Sequence, residues 1–254
     1  MQTPRRSSAL TKALAVLEAV ADQPQAVGLP DLAVRLNLAR QTVHRVLAQL
    51  ERAGLVQRDP SRERYAIGPR QARLALTTLA SNNQNTLTKV LLQNLVDEVK
   101  ETCNIGVLDG LEYVYVARIE AKWPLRTHLE AGSRMPSHAV SGGKLLLSAL
   151  DPKRRRYLLR GRRLQALTER TITRASELEA ELGRIGARGF AVSNEEFLDG
   201  IIGVAVPIKG PSGRTLAALA MHGPVTRLSL ATCESRVARL QRAAERISRA
   251  WLLG

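Results

Sequence analysis

A row of polar side chains in the first fifth of the chain has the types and spacing that contact with nucleic acid requires. Gln41, His44, Arg45 and Ala48 recur at i, i+3, i+4 and i+7, so they share one face of a helix. Glutamine can bond adenine bidentately, arginine can do the same to guanine, and histidine or the neighbouring Thr42 can reach base edges or phosphates. The row predicts a DNA-reading surface. The alternative is the solvated face of an ordinary amphipathic helix.

The opposite side of the same helix is apolar. Val43, Val46, Leu47 and Leu50 repeat this spacing about half a turn away, which predicts a stripe that packs into a core. The preceding segment, 29–37, predicts a shorter helix with a proline in its first turn and an asparagine suited to a left-handed turn at its end. The two segments together predict a helix, a tight turn and an outward-facing helix from about residue 40.

A further helix and a two-stranded ribbon complete the first 69 residues. Helical spacing predicts a first helix from about Ser8 to Asp22, and Gly54 ends the outward-facing helix. Two short strands joined by a polar turn follow, which makes the whole a winged helix-turn-helix. The predicted strands are Leu55–Arg58 and Arg64–Ile67, and the turn is Pro60–Glu63.

The ribbon, like the whole chain, is rich in positive charge. Arg58, Arg62 and Arg64 are expected to meet the phosphate backbone of a duplex. The 254 residues hold 38 Lys or Arg against 23 Asp or Glu, a net charge of +15, which implies a polyanionic partner or a membrane surface. No uninterrupted apolar run approaches the roughly 20 residues of a membrane span. Double-stranded DNA is therefore the expected polyanion, and no membrane partner is expected.

The N-terminal segment and the cysteines predict a cytoplasmic protein. The apolar residues near the N-terminus are helically spaced and are interrupted by Lys12 and Glu18, so they do not form the continuous apolar region of a signal peptide. Cys103 and Cys233 have neither paired nor C-x-x-C spacing, which argues against a disulfide scaffold and against structural zinc.

The first 70 residues contain the pattern LxxLAxxLxLxxxTVHRxLxxLxxxGLVxRD and the later YxIGPR, and the most specific parts are Thr42–Arg45, Gly54–Val56 and Tyr65–Gly68. In these motifs the chain resembles the isocitrate-lyase-regulator (IclR) family of bacterial transcription factors, and the resemblance continues along essentially the whole chain. It implies a DNA-binding head with Arg40 to Arg45 at the leading end of the recognition helix. For His44, the alternative role is to buttress the wing.

The remainder of the chain predicts an α/β (α+β) fold with an antiparallel sheet flanked by helices. The resemblance implies a linker helix within residues 70–85 and a GAF-like effector-binding domain over 86–254, after a winged helix-turn-helix domain over 1–69. The predicted elements are a helix over Thr86–Val99, strands around a hairpin turn at Asp109-Gly110, a strand at Leu125–Leu129, a Gly-rich loop entering a helix near Lys144, a helix over Ala175–Arg188, strands within 189–224, and a final helix over Ala231–Trp251.

The resemblance also implies an effector pocket built from three segments. A Gly-rich turn that enters a helix offers backbone N–H groups and a positive helix end, which suit a carboxylate, although a plain tight turn is the alternative. Ser141, Gly142 and Gly143 are the residues expected at that turn. The other two segments supply Ser193, Gly203, Ala220 and His222.

The sequence departs from the family at four of these positions. The family often carries Asp at the Ser193 position, Cys at Gly203, and Ser at both Ala220 and His222. These differences predict a roomier and less polar pocket floor, and a His222 that titrates near neutrality. The expected effector is an organic acid larger than a two- or three-carbon keto acid, with an aromatic or cyclic body.

Two other classes of function were weighed against a regulator. An enzyme would need Cys or Ser beside His, but no candidate lies in a nucleophile elbow or at metal-ligand spacing, so no catalytic residue, metal or cofactor is expected. The candidates were Cys103, Cys233, His128, His138 and His222. A ligand-independent architectural DNA binder would leave the second half without a role. The basic tract Lys153–Arg163 is interpreted as a solvated helical segment and not as a second nucleic-acid site.

The sequence thus predicts a ligand-responsive DNA-binding transcriptional regulator of a catabolic operon. A single helix-turn-helix reads few base pairs, so binding to a palindromic operator as a homodimer or homotetramer is expected. The linker, with Leu74, Ala75 and Leu79, is the expected subunit contact. The effector is expected to be a small organic acid.

Overall fold

The computed structural model describes residues 8–23, 25–59, 63–71, 73–74, 86–122 and 129–252. The chain divides into two compact units, residues 1–78 and 79–254. The predicted linker, 70–85, spans this division, and its residues 75–85 lie outside the described part of the chain, as does most of the predicted strand Leu125–Leu129.

Between residues 8 and 67, the described part of the first unit contains three helices and a small antiparallel sheet. Ser8 caps the first helix by accepting a hydrogen bond from the Thr11 backbone N–H, and a two-residue strand that the sequence analysis missed extends the ribbon to three strands in the order β1-β3-β2. The elements are α1 (Ala9–Ala21), β1 (Val27–Gly28), α2 (Leu29–Leu36), α3 (Arg40–Arg52), β2 (Val56–Asp59) and β3 (Arg64–Ile67).

The turn between α2 and α3 depends on Asn37. This residue adopts the left-handed conformation, with φ of 50°. The backbone N–H of the next residue, Leu38, donates a hydrogen bond to the carbonyl of Ala33. Asparagine tolerates this conformation better than other residues with a Cβ atom, so it sets the angle at which α3 leaves α2.

The second unit is a six-stranded antiparallel sheet in the order β6-β5-β4-β9-β8-β7, with helices on both faces. The predicted fold class is confirmed. The elements are α4 (Thr86–Val99), β4 (Thr102–Asp109), β5 (Glu112–Ile119), β6 (Arg134–Pro136), α5 (Ser141–Ser148), α6 (Pro152–Leu159), α7 (Ala175–Arg188), β7 (Ala191–Asn194), β8 (Ile201–Lys209), β9 (Thr215–Pro224), α8 (Leu230–Ser235) and α9 (Val237–Leu252).

Side chains that alternate along the central strands divide the core into two layers. On β8 and β9, Val204 and Leu219 join the core beneath α4 and α9. Their neighbours Ala205, Ala218 and Ala220 face α5 and α7. Because this second face is lined by alanines, the sheet leaves space beneath α5.

Two details differ from the sequence predictions, whereas the basic tract is helical as interpreted. The predicted final helix is two helices, interrupted at Arg236, whose guanidinium donates a hydrogen bond to the carbonyl of Val99 at 2.6 Å. Strand β6 was not predicted. The basic tract contains α6, capped by Asp151, whose side chain accepts from the backbone N–H groups of Lys153 and Arg154. Among the described helices, none has both the length and the apolar character to cross a membrane.

Replacement of Asn37 by alanine is expected to destabilise the first unit by about 1 kcal/mol, because alanine pays the full cost of the left-handed conformation. Asn37→Gly is the matched control and is expected to be neutral or slightly stabilising. Urea unfolding followed by far-UV circular dichroism measures the effect. Both tryptophans, Trp123 and Trp251, belong to the second unit, so their fluorescence supplies an internal reference. Equal stability of the alanine and glycine variants would contradict the role given to Asn37.

Candidate DNA interface and effector cavity

The two faces of α3 are separated as the spacing predicts. Val43 and Leu47 have no exposed surface, whereas Gln41, His44 and Arg45 are exposed. Arg40 at the start of the helix is also exposed, and Thr42 is half-buried. The first two turns of α3 therefore present an amide, an imidazole and two guanidinium groups to solvent.

The wing arginines already make contacts within the first unit. The Arg58 guanidinium lies 2.8 Å from the Glu63 carboxylate, and that of Arg64 donates to the carbonyl of Ala26 at 3.0 Å. Arg62 lies outside the described residues. Since Glu63 offsets the charge of Arg58, and Arg64 ties the wing to the segment before β1, these side chains contribute to the shape of the wing as well as to its charge.

A cavity that is partly open to solvent lies between the sheet of the second unit and the start of α5. It brings together six of the seven residues that the sequence analysis assigned to an effector site. These are Ser141, Gly142, Ser193, Gly203, Ala220 and His222, and the remaining lining residues are Asn104, Tyr113, Tyr115, Leu129, Met135, Val140, Phe197, Leu198 and Ile201.

Gly143 does not line the cavity. A Cβ atom there would lie 2.4 Å from the backbone of Ser137, so this glycine allows α5 to approach the preceding loop. Gly142 has a similar packing role, because a Cβ atom would lie 2.4 Å from the ring of Tyr113. The Gly-rich segment is thus the first turn of α5 and not a loop before it, and its glycines are required by close packing.

Ser193 has a structural partner. Its hydroxyl donates to the carbonyl of Ala139 at 2.9 Å, which ties β7 to the segment that leads into α5. The helix itself begins after Val140 without a side-chain cap, so the N–H groups of its first turn stand at the cavity wall.

A buried ion pair joins two walls of the cavity. The Lys144 ammonium on α5 lies 2.6 and 2.7 Å from the two carboxylate oxygens of Glu196, in the loop after β7, and both side chains are almost wholly buried. The Glu196 carboxylate also accepts from the backbone N–H of Asn194. Burial raises the pKa of Glu196 although Lys144 opposes this rise. The pair holds the loop that carries Phe197 and Leu198 against the helix that carries Ser141 and Gly142.

Three lining residues form a hydrogen-bonded chain across the sheet. The Tyr113 hydroxyl donates to Asn104 Oδ1 at 2.9 Å, and Asn104 Nδ2 lies 3.3 Å from Nδ1 of His222. Asn104 and Tyr113 were missed by the sequence analysis. The available signal was that Tyr113 and Tyr115 lie two apart in a strand of a chain with only 3% aromatic residues.

The expectation that His222 titrates near neutrality is wrong for the folded protein. Burial, assisted by the positive charge of Arg118, lowers the pKa of His222 from 6.5 to about 3. The Arg118 side chain is itself 4% exposed and its guanidinium lies 5.7 Å from the centre of the Tyr115 ring. The imidazole is therefore neutral at physiological pH.

The residues weighed for catalysis do not converge. Cys103 and Cys233 are both buried, and burial raises the pKa of the Cys233 thiol to about 11 and that of Cys103 further still. His138 Nε2 lies 3.0 Å from the carbonyl of Gln165, and His128 lies outside the described residues. Within the described ranges, no group of three or more His, Cys, Asp or Glu side chains is arranged to hold a metal ion.

Removal of the His222 imidazole should reduce the acid sensitivity of the second unit. With a pKa of about 3 in the folded state and 6.5 when unfolded, His222 binds fewer protons in the folded protein, so the free energy of unfolding falls as pH drops from 6.5 towards 3. The loss is at most about 1.4 kcal/mol per pH unit. His222→Asn should flatten this fall between pH 6.5 and 4.5, as measured by urea unfolding with tryptophan fluorescence, and His44→Asn, in the other unit, serves as the control. Parallel curves for wild type and His222→Asn would contradict the burial of a neutral imidazole.

The comparisons with known proteins agree with this architecture. Residues 9–60 match the IclR helix-turn-helix domain, and residues 76–249 match the bacterial transcriptional regulator IclR C-terminal domain. The chain is 38% identical over 224 residues to a Cupriavidus necator protein named "Probable transcriptional regulator SauR", which covers 88% of this chain and 89% of that protein.

Two solved structures extend the comparison. The Thermotoga maritima IclR structure has a TM-score of 0.61 at 27% identity, covering 94% of this chain and 97% of that one. The inducer-binding domain of the PobR transcription factor from Acinetobacter, a double mutant in complex with 3-hydroxybenzoic acid, has a TM-score of 0.59 at 29% identity, covering 64% of this chain and 96% of that one. The chain belongs to the IclR family of bacterial transcriptional regulators, and it joins a DNA-binding helix-turn-helix domain to a C-terminal effector-binding domain.

Proposed function

We propose that this protein binds a palindromic operator as a homodimer or homotetramer and that an organic acid in the cavity of the second unit controls this binding. The observation that carries the proposal is the exposed row of Gln41, His44 and Arg45 on the same chain as a largely apolar cavity. An exposed reading helix and a separate cavity are the two parts that a ligand-responsive regulator needs.

On the DNA side, Arg45, Gln41 and His44 are assigned to base contacts and the wing to the phosphate backbone. Arginine and glutamine at consecutive turns of an exposed helix match the bidentate contacts to guanine and adenine in the major groove. Arg40 and Thr42 lie at the leading end, where a helix N-terminus favours phosphate. Arg58, Arg62 and Arg64 supply charge that does not depend on sequence.

The requirement for sequence specificity favours an oligomer. One helix-turn-helix covers too few base pairs for a unique site, so two heads on half-sites about one or more helical turns apart are needed. Leu74, in the predicted linker at the end of the first unit, is 47% exposed, which suits the assignment of the linker to a subunit contact.

On the effector side, the lining of the cavity favours an aromatic or cyclic acid. Tyr113, Tyr115 and Phe197 contribute aromatic rings to its wall, and most of the other lining residues are apolar. A two- or three-carbon keto acid has too little apolar surface to match this wall. The likeness to the PobR inducer-binding domain, which was solved with 3-hydroxybenzoic acid, supports the same class.

Arg45→Ala is expected to lower affinity for a selected operator by about 1–3 kcal/mol and to relax the preference at one base pair of each half-site, since a bidentate base contact would be lost. The measurement is fluorescence anisotropy on the operator and on a scrambled duplex at two salt concentrations. Arg52→Ala, at the far end of the same helix, is the matched control and is expected to change neither. Unchanged affinity and preference in Arg45→Ala would refute the assignment of α3 as the reading helix.

Ala220→Leu is expected to weaken the binding of aromatic acids about tenfold or more, because a longer side chain at this buried position fills the cavity. Calorimetry with glyoxylate, pyruvate, 3-hydroxybenzoate and sugar-derived acids measures the binding. Ala187→Leu, on the exposed face of α7, tests for a general effect of the extra side chain. If glyoxylate or pyruvate bound at micromolar concentration and Ala220→Leu did not weaken it, the assigned size class would be wrong.

A further inference from the structure

The polar end of the cavity is formed by His222 and its neighbours. The position that a Cβ atom of residue 203 would occupy lies 3.2 Å from Ser141 Oγ and 3.3 Å from His222 Cβ. The start of α5 and the side chain of His222 therefore approach each other at Gly203, where a larger residue would crowd both. Most of the remaining lining is apolar or aromatic, so a polar group of a bound molecule has its partners here.

In the hydrogen-bonded chain from Tyr113 through Asn104 to His222, the donor and the acceptor of each bond can be assigned. The 2.9 Å bond from the Tyr113 hydroxyl to Asn104 Oδ1 is shorter than the 3.4 Å distance from the same hydroxyl to the carbonyl of Ala218. Because the phenol of Tyr113 donates to Oδ1 of Asn104, the other amide atom of Asn104, Nδ2, faces His222. An amide nitrogen can only donate a hydrogen bond. Nδ1 of the imidazole must then accept.

A neutral imidazole that accepts at Nδ1 carries its proton on Nε2. The ring is held neutral by its burial and by the charge of Arg118. Among the residues that the structure describes, Nε2 of His222 makes no hydrogen bond, and the ring lines the cavity. The remaining ring nitrogen is thus a donor at the polar end.

We propose that Tyr113 and Asn104 fix His222 in the Nε2–H tautomer and that this N–H is a dedicated hydrogen-bond donor for an acceptor oxygen of the effector. The proposal rests on the proposed function, which places an organic acid in this cavity, and it adds the group that selects the acid. Tyr113 and Asn104 are positioning residues, because they act through His222. The nearby Arg118 favours an oxygen that carries negative charge.

The arrangement defines a class of ligand. A carboxylate or another anionic oxygen satisfies the N–H, whereas a group that only donates would leave two donors facing each other in a poorly solvated space. We therefore expect the cavity to select an aromatic or cyclic acid whose acceptor oxygen reaches His222, and to reject the corresponding amine.

The tautomer can be measured directly in the free protein. The chain has only four histidines, so long-range ¹H–¹⁵N spectra of protein labelled at histidine, with His222→Gln to assign the missing signal, resolve the His222 ring. The expected result is an unprotonated Nδ1 and a protonated Nε2 in the wild type. In Tyr113→Phe, which keeps the ring and removes only the hydroxyl, Asn104 is free to turn over, and a mixed or reversed tautomer is expected. A protonated Nδ1 in the wild type would overturn the proposal.

Binding supplies the second test, with 3-hydroxybenzoate and 3-hydroxybenzylamine as probes. His222→Gln keeps an N–H donor and is expected to hold the affinity for the acid within about threefold, whereas His222→Leu is expected to lose about tenfold or more. Tyr113→Phe should narrow the preference for the acid over the amine. Equal binding of the acid by wild type and His222→Leu would overturn the proposal.

The effector class and the hydrogen bond from His222 can be refuted separately. If no acid of the calorimetric panel bound the wild type, the proposed effector class would be refuted, and with it the contact between effector and His222. If acids bound while the spectra placed the proton on Nδ1, only the donor assignment would be refuted.

Discussion

The ion pair between Lys144 and Glu196 is the contact on which the shape of the effector cavity depends. A charge removed from water is stable only when its partner and its hydrogen bonds are in place, so this pair permits few arrangements of the segments that carry it. One segment is the start of α5, and the other is the loop that brings Phe197 to the cavity. The hydroxyl of Ser193, which donates to Ala139 nearby, holds the same two segments together. The cavity is consequently a preformed space and not a gap between independent loops.

The first unit could be predicted largely from the sequence, because the residues that determine its helices and turns are close together in the chain. The spacing of Val43 and Leu47 defines the buried face of α3, and Asn37 marks the turn before it. The two-residue strand β1 has no local signal, since it exists only through its pairing with β3. The break at Arg236 is similar, because it accompanies a hydrogen bond to Val99, 137 residues away in the chain.

The cavity could be predicted only in part. The family resemblance located Gly203 and Ala220. The side chains that complete the site come from other strands, and the register of strand pairing decides which of their residues reach the cavity. The pairing of β4 with β9 places Asn104 opposite Ala220, and the irregularity between Ile105 and Gly106 shifts the register of β4 against β5. The neutral state of His222 follows from burial by these strands, which no local pattern encodes. The roles first given to the glycines of α5 were incomplete for the same reason, since the atoms that they accommodate are distant in sequence.

Tyr113 combines a packing role, through its ring, with a hydrogen-bonding role, through its hydroxyl. Its ring occupies the space left by Gly106 and Gly142, where any Cβ atom would overlap it, and its hydroxyl holds Asn104. Replacement of Tyr113 by a smaller residue opens a void between β4 and α5. A larger residue at Gly106 or Gly142 displaces the Tyr113 ring. In the divergence of such a regulator, these positions can change only together. New effector preferences would arise more readily by substitution at an apolar lining residue outside the core clusters, for example at Leu198, which is 44% exposed.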